Sequence, residues 1–111
     1  MSKFDEAMDK YRAALAGIGS DDELLTRIAK GLGPSIYLAD ASLVSCTDQV
    51  EKDRIKQNFL INKCGCEDNG SNLDEAINQV CEKMKGIHHK HRAVFYYLLV
   101  VQEGLESKFL N

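Results

Sequence analysis

A chain of 111 residues suits one domain with one core, and 44% hydrophobic content excludes an intrinsically disordered protein. The net charge of −3 argues against general nucleic-acid binding, although a local basic face remains compatible with it. The opening "MSKFDEAMDK" is charged and has no apolar stretch behind it, so no secretory signal is expected. The longest apolar run, Ala93 to Val101, is too short to span a bilayer, so no membrane association is expected. A cytoplasmic location follows as an expectation, with the four cysteines present as reduced thiols.

The first helix is expected from Lys3 to about Gly17. Phe4, Ala7, Met8, Tyr11, Leu15 and Ile18 recur at steps of three and four and so share one face. Asp5, Glu6 and Asp9 lie near its N-terminal end, where the helix dipole favours carboxylates. In "SDDELL", Ser20 and Glu23 form a capping box for a second helix, whose buried face carries Leu24, Leu25 and Ile28. Gly31 is placed to stop it in a left-handed conformation. Pro34 then suits the first turn of a short third helix, followed by an irregular connection.

The fourth helix is expected from about Asp48 to Lys63, capped by Thr47, with Cys46, Val50, Ile55 and Phe59 inward. The fifth runs from about Leu73 to Lys85, capped by Asn72 with Glu75 reaching back, and stops at Gly86. Its stripe is Leu73, Ala76, Ile77, Val80, Cys81 and Met84. The sixth, from about His89 to Glu103, is apolar almost all round and belongs at the centre of the fold. Each fully buried Leu, Val or Phe there contributes about 1.5–3 kcal/mol. Its composition also suits a strand, but no second strand candidate exists to pair with it. Phe109 docks the short C-terminal tail. The expected architecture is one all-α domain over residues 1–111, a compact bundle of five or six helices around a buried C-terminal helix.

"KGLGPSIYLADASLV" (Lys30 to Val44) and "HRAVFYYLLV" (His91 to Val100), together with "MSKFDEA", resemble the signature stretches of a small bacterial family catalogued only as a domain of unknown function. The resemblance spans nearly the whole chain. It implies a compact all-helical protein with no assigned activity, and it supplies no catalytic residue. It also implies aliphatic residues at the places of Cys64 and Cys66, so these thiols and the histidine run are departures from the family pattern.

Four local features invite a chemical role. The first is "NKCGCEDNG". A tetrahedral zinc site would draw on Cys64, Cys66, Cys81 and one of His88, His89 or His91. Only Gly65 separates the first two thiols, however, whereas paired zinc ligands leave two to four residues between them. A structural role accounts for more: Gly65 as the left-handed residue after the fourth helix, Cys66 packed back towards Ile61, and Cys81 and Cys46 as small apolar core residues. No metal or other cofactor is expected.

The second feature is the basic cluster at 83–92. Lys83, Lys85, His89, Lys90 and Arg92 gather around the start of the last helix with no acid between Lys83 and Gln102. Helix N-termini attract anions, so a phosphate, a nucleic-acid backbone or an acidic partner would fit there; the local alternative is a solvated face. The third feature, "GLGPS", lacks the lysine and the preceding strand of a phosphate-binding loop. The fourth is Asp40, an acid in an apolar stretch that suits a structural hydrogen bond better than catalysis. No nucleophile elbow or paired-carboxylate motif is present. The sequence therefore points to a small non-catalytic binding or interaction module with an unspecified protein partner. The alternatives are an anion or nucleic-acid binder through the basic cluster and, behind it, a zinc-stabilised domain. A homodimer built on the last helix would cover its surplus of apolar faces.

Overall fold

The computed structural model describes residues 2–16, 21–38, 41–87 and 89–110. Five α-helices are found among them: α1 (Lys3–Ala14), α2 (Asp22–Gly31), α3 (Gln49–Arg54), α4 (Asn72–Lys83) and α5 (Arg92–Glu103). A short 3-10 helix, Gly33–Tyr37, follows α2, and α3 runs directly into a nine-residue π-helical segment, Ile55–Lys63. No strand occurs among the described residues. A single antiparallel bridge joins Leu43 to His91. The all-α expectation holds, and α5 is its centre: every residue from Ala93 to Val100 is buried, with α1, α2 and α4 packed around it. No described helix is long and apolar enough to cross a membrane.

Several helix ends differ from expectation, each for a local reason. Asp21, not Ser20, caps α2, its carboxylate accepting from the Glu23 and Leu24 N–H groups and so satisfying two otherwise orphaned donors. Gly17, Ile18 and Ser20 lie outside the described residues. Gly31 is the last helical residue rather than the left-handed stop; Gly33 takes that conformation, at φ +62°. Pro34 disfavours a right-handed helical conformation in the residue before it, and glycine adopts the positive φ without a Cβ clash. Asp48 rather than Thr47 caps α3, accepting from Val50 N–H at 3.0 Å. Val50, expected inside, is 57% exposed, because α3 itself buries nothing and the chain reaches the core only at Ile55. Asn72 opens α4 but binds the preceding loop, accepting from Asn69 N–H and donating to the Glu67 carbonyl.

The last helix begins at Arg92 instead of His89. Lys90 and His91 stay outside the helix because the chain here pairs with 42–44: Val44 N–H donates to Lys90 O at 2.8 Å and Arg92 N–H to Ser42 O at 2.7 Å. The π-helical segment explains itself in the spacing of its buried residues. Ile55, Phe59, Leu60 and Cys64 recur at four and five rather than three and four, which a wider turn brings to one face. Gly65, at φ +73°, ends the segment as expected, and Cys66 sits half-buried beyond it.

One expectation about the cysteines is overturned. Cys46 and Cys81 are joined by a disulfide, with their Cα atoms 5.8 Å apart, so these two are neither reduced thiols nor independent core residues. They were 35 positions apart in sequence, and only the packing of the loop before α3 against α4 brings them within bonding range.

Candidate ligand-binding groove

Two cavities lie along the π-helical segment and α5, one reaching α2 and the other α3. The first, about 220 Å³, is mainly apolar and is walled by Ile28, Leu32, Phe59, Tyr96 and Phe109, with Asn58 and Lys63 at its edge. The second, about 370 Å³, is lined by Ala41, Glu51, Arg54, Asn58, Arg92 and Tyr96. Asn58 and Tyr96 line both, so the two cavities adjoin, the first mainly apolar and the second carrying the charged groups of Glu51, Arg54 and Arg92.

The floor is aromatic. The Phe59 and Tyr96 rings stack with centroids 3.9 Å apart and planes 19° from parallel, and Phe109 lies 6.1 Å beyond Phe59. Phe109 comes from the C-terminal tail, which docks as the sequence suggested. Arg27 holds it there by donating to the Phe109 carbonyl at 3.2 Å. The tail turns back after α5 through Gly104, at φ +68°.

Arg92 builds the polar end. Its guanidinium donates to the carbonyls of Ala41 (2.7 Å) and Leu43 (3.2 Å) and to the Tyr96 hydroxyl (3.1 Å), and it pairs with Glu51. Both members of this ion pair are largely buried, at 15% and 13% side-chain exposure. Burial works against the Arg92 charge, but Tyr96 and Glu51 more than offset it and hold its pKa above the ordinary value. Burial raises the Tyr96 pKa, so its hydroxyl stays protonated at neutral pH. Arg54, across the same chamber, is exposed and makes no hydrogen bond or ion pair among the described residues. The protein thus presents a fixed, neutralised Arg92–Glu51 pair beside an unneutralised cation.

The five residues of the basic cluster make different contacts. Arg92 points inward, as described. Lys85 lies 3.8 Å from Glu82, Lys90 donates to the Ile87 carbonyl at 3.3 Å, and Lys83 lines a shallow depression with Gln79, Glu82 and Gln102. His89 is exposed, 6.3 Å from the His91 ring. Lys83 and Arg92 line different cavities. In "GLGPS", the Ser35 hydroxyl donates to Leu32 O at 2.7 Å, a local turn contact rather than a phosphate cradle. Asp40 lies outside the described residues.

The profile of the family described as "Protein of unknown function (DUF2853)" matches residues 5–107. The chain belongs to that family. No curated protein matches it. The expectation of a family catalogued only as a domain of unknown function is met, and membership assigns no chemistry.

In this DUF2853 chain the fallback zinc set of Cys64, Cys66, Cys81 and His88 does not assemble. Cys81 is bonded to Cys46, and His88 lies outside the described residues. Among the described residues, no group of three or more His, Cys, Asp or Glu is placed to hold a metal ion. Burial pushes the Cys64 thiol up to about 11, with Cys66 adding to the shift. Cys66 is raised as well, by burial and then by Glu103. Both are protonated thiols at neutral pH, which leaves little thiolate for nucleophilic attack. The groove residues Arg54, Asn58, Phe59 and Tyr96 were not singled out from the sequence. The four-and-five spacing after Ile55 was the one legible signal of an irregular helix there, and such helices are frequent at functional sites.

Proposed function

We propose that this chain is a small, non-catalytic, cytoplasmic binding module of a bacterial cell, and that its ligand is a small molecule with an apolar body and an anionic end. One geometric fact carries the proposal: Asn58 and Tyr96 join an apolar, aromatic-floored chamber to a polar one that holds the unneutralised Arg54. Ligand sites are concave and mostly apolar, with a few fixed polar groups that set orientation. Here the stacked Phe59–Tyr96 pair would take the apolar body, and Arg54 would take a carboxylate in two parallel hydrogen bonds. The buried Arg92–Glu51 pair would hold Tyr96 and the 41–43 segment in place without competing for the anion.

The test uses 3-phenylpropionate and decanoate as probes, with 3-phenylpropanol and decanol as uncharged counterparts. Binding is followed by amide chemical shifts at Asn58, Phe59 and Tyr96. Saturable shifts, weakened about tenfold by Arg54→Gln for the acids but not for the alcohols, are expected. Absence of saturable shifts at these positions, or equal weakening for acids and alcohols, refutes the proposal. A nucleic-acid role for Lys83, Lys85 and Lys90 is checked separately, since it requires affinity that falls steeply with salt.

The mass in solution is expected to be that of one chain. The burial of Ala93 to Val100 within one chain supports a monomer over the homodimer. Light scattering decides this. Cytoplasmic placement is tested by cell fractionation with thiol trapping of Cys46 and Cys81, because a reducing cytosol opposes stable disulfides.

A further inference from the structure

A separate cleft of about 350 Å³ opens between α1, the 3-10 helix and His91. It shares no lining residue with the groove. Its polar wall consists of Lys3, Lys10, Tyr11, Tyr37, Ser42 and His91, with Glu6 as its one acid. We infer that this cleft is a second binding site, and that it takes a small phosphomonoester whose phosphate sits between Lys3, Lys10 and His91.

The first support is charge left unneutralised. Lys3 and Lys10 are seven residues apart on α1, about two turns, and so lie on the same side of the helix about 10 Å apart. Glu6 stands between them, three residues from one and four from the other. A Glu four residues before a Lys is the favoured order for a helical ion pair. Neither pairing is made, and neither lysine has a hydrogen bond or ion pair among the described residues. Two ammonium groups and one carboxylate leave the rim with a net positive charge.

The second support is the fixed geometry of His91. Its backbone is pinned by the bridge to Leu43, and its ring lies edge-on to Tyr11 with centroids 5.3 Å apart. It is also the residue that caps α5, so the positive end of that twelve-residue helix begins at the cleft. Burial, then the charges of His89 and Lys10, lower the His91 pKa. At neutral pH the imidazole is therefore an uncharged hydrogen-bonding group, facing Lys3, Glu6, Lys10 and Tyr11 of α1 and Tyr37 of the 3-10 helix.

The third support is the match to one chemical class. A phosphomonoester carries a charge near −2 at neutral pH, three acceptor oxygens and a second pKa of about 6. Two lysines, an imidazole and the hydroxyls of Tyr11 and Tyr37 offer donors around such a group. The cleft is larger than phosphate alone, and its polar lining suits a hydroxylated organic part better than an acyl chain.

The experiment uses the full chain with glycerol 3-phosphate, and in separate arms inorganic phosphate and glycerol, followed by calorimetry and by the ring signals of His91. Glycerol 3-phosphate is expected to bind one-to-one and to raise the His91 pKa. Lys3→Gln and Lys10→Gln, both at exposed positions, are each expected to weaken it about tenfold, while Lys83→Gln outside the cleft leaves it unchanged. No saturable change at His91 by about 10 mM overturns the inference, since weaker binding has no specificity to explain. Equal weakening by Lys83→Gln overturns it too, by reducing the effect to overall charge. Inorganic phosphate binding as tightly as the ester refutes the assignment to a monoester.

Discussion

Removing the Glu51 carboxylate tests whether the Arg92 clamp holds the groove. In Glu51→Ala the guanidinium keeps the carbonyls of Ala41 and Leu43 and the Tyr96 hydroxyl but loses its anion. Breaking a buried ion pair by deleting one partner costs about 3–5 kcal/mol, because a charge is left without compensation. The residual exposure of 15% and 13% and the three remaining acceptors place this case at the lower end, about 3 kcal/mol. Domains of this size are stable by roughly 5–15 kcal/mol, so the loss is a large fraction of the total. Urea unfolding followed by circular dichroism should show it, with a melting temperature lower by about 12 °C. Replacing both partners, as Glu51→Leu with Arg92→Met, should cost about 2 kcal/mol less than the sum of the single changes, since no orphaned charge remains. A Glu51→Ala cost below about 1 kcal/mol, or strict additivity in the double variant, would show that the pair is solvated and that the clamp does not organise the site.

Four further outcomes follow from the same coordinates. Phe59→Ala should cost about 3 kcal/mol in urea unfolding and abolish 3-phenylpropionate shifts at Tyr96, since it removes a buried ring and half the stacked floor. Reducing the Cys46–Cys81 disulfide releases a 35-residue separation in the unfolded chain; the chain-entropy account gives a loss of up to about 3.8 kcal/mol, read as a lower melting temperature with reductant that Cys46→Ser/Cys81→Ser reproduces without it. His91 has a folded pKa below its unfolded value, so the unfolded state binds the proton more readily. Stability should then rise with pH through the window just below 6.5, and His91→Asn should flatten that rise in pH-dependent unfolding. Alkylation at pH 7 should be slow at both free thiols and faster at Cys66, which is half-buried, than at Cys64, which is 2% exposed and pushed up to about 11; mass mapping reports the order.

Much of the fold was readable because it depends on local periodicity. The apolar stripe of α4 and the continuous apolar run of α5 required burial wherever they packed, and Gly65 and Gly86 marked helix ends through the backbone conformation only glycine adopts easily. The errors fell where two nearby residues competed for one role. Thr47 and Asp48 are both acceptable caps by type, and the choice rests on which side chain meets a free N–H group in space. His89, Lys90 and His91 read as helical, yet the helix starts only at Arg92, because Leu43, 48 residues before His91, bridges to it and Val44 N–H claims the Lys90 carbonyl.

The candidate sites were legible only in part, for a related reason. Composition and spacing settled that this chain forms one helical core with α5 inside, because burying that run is favourable in any arrangement of the other helices. The partner of a given side chain is a different matter. Arg92 was counted with Lys83 and Lys85 as a surface cation, while the structure turns it inward onto Glu51, 41 residues earlier. Cys81 was assigned to an apolar stripe, while the structure bonds it to Cys46. Phe59 and Tyr96 form one floor, and Lys3, Lys10 and His91 one cleft, only after the chain has closed. Hydrophobic burial is non-directional and so leaves its mark in sequence pattern; hydrogen bonds, ion pairs and disulfides need particular atoms at particular distances, and tertiary packing alone supplies those.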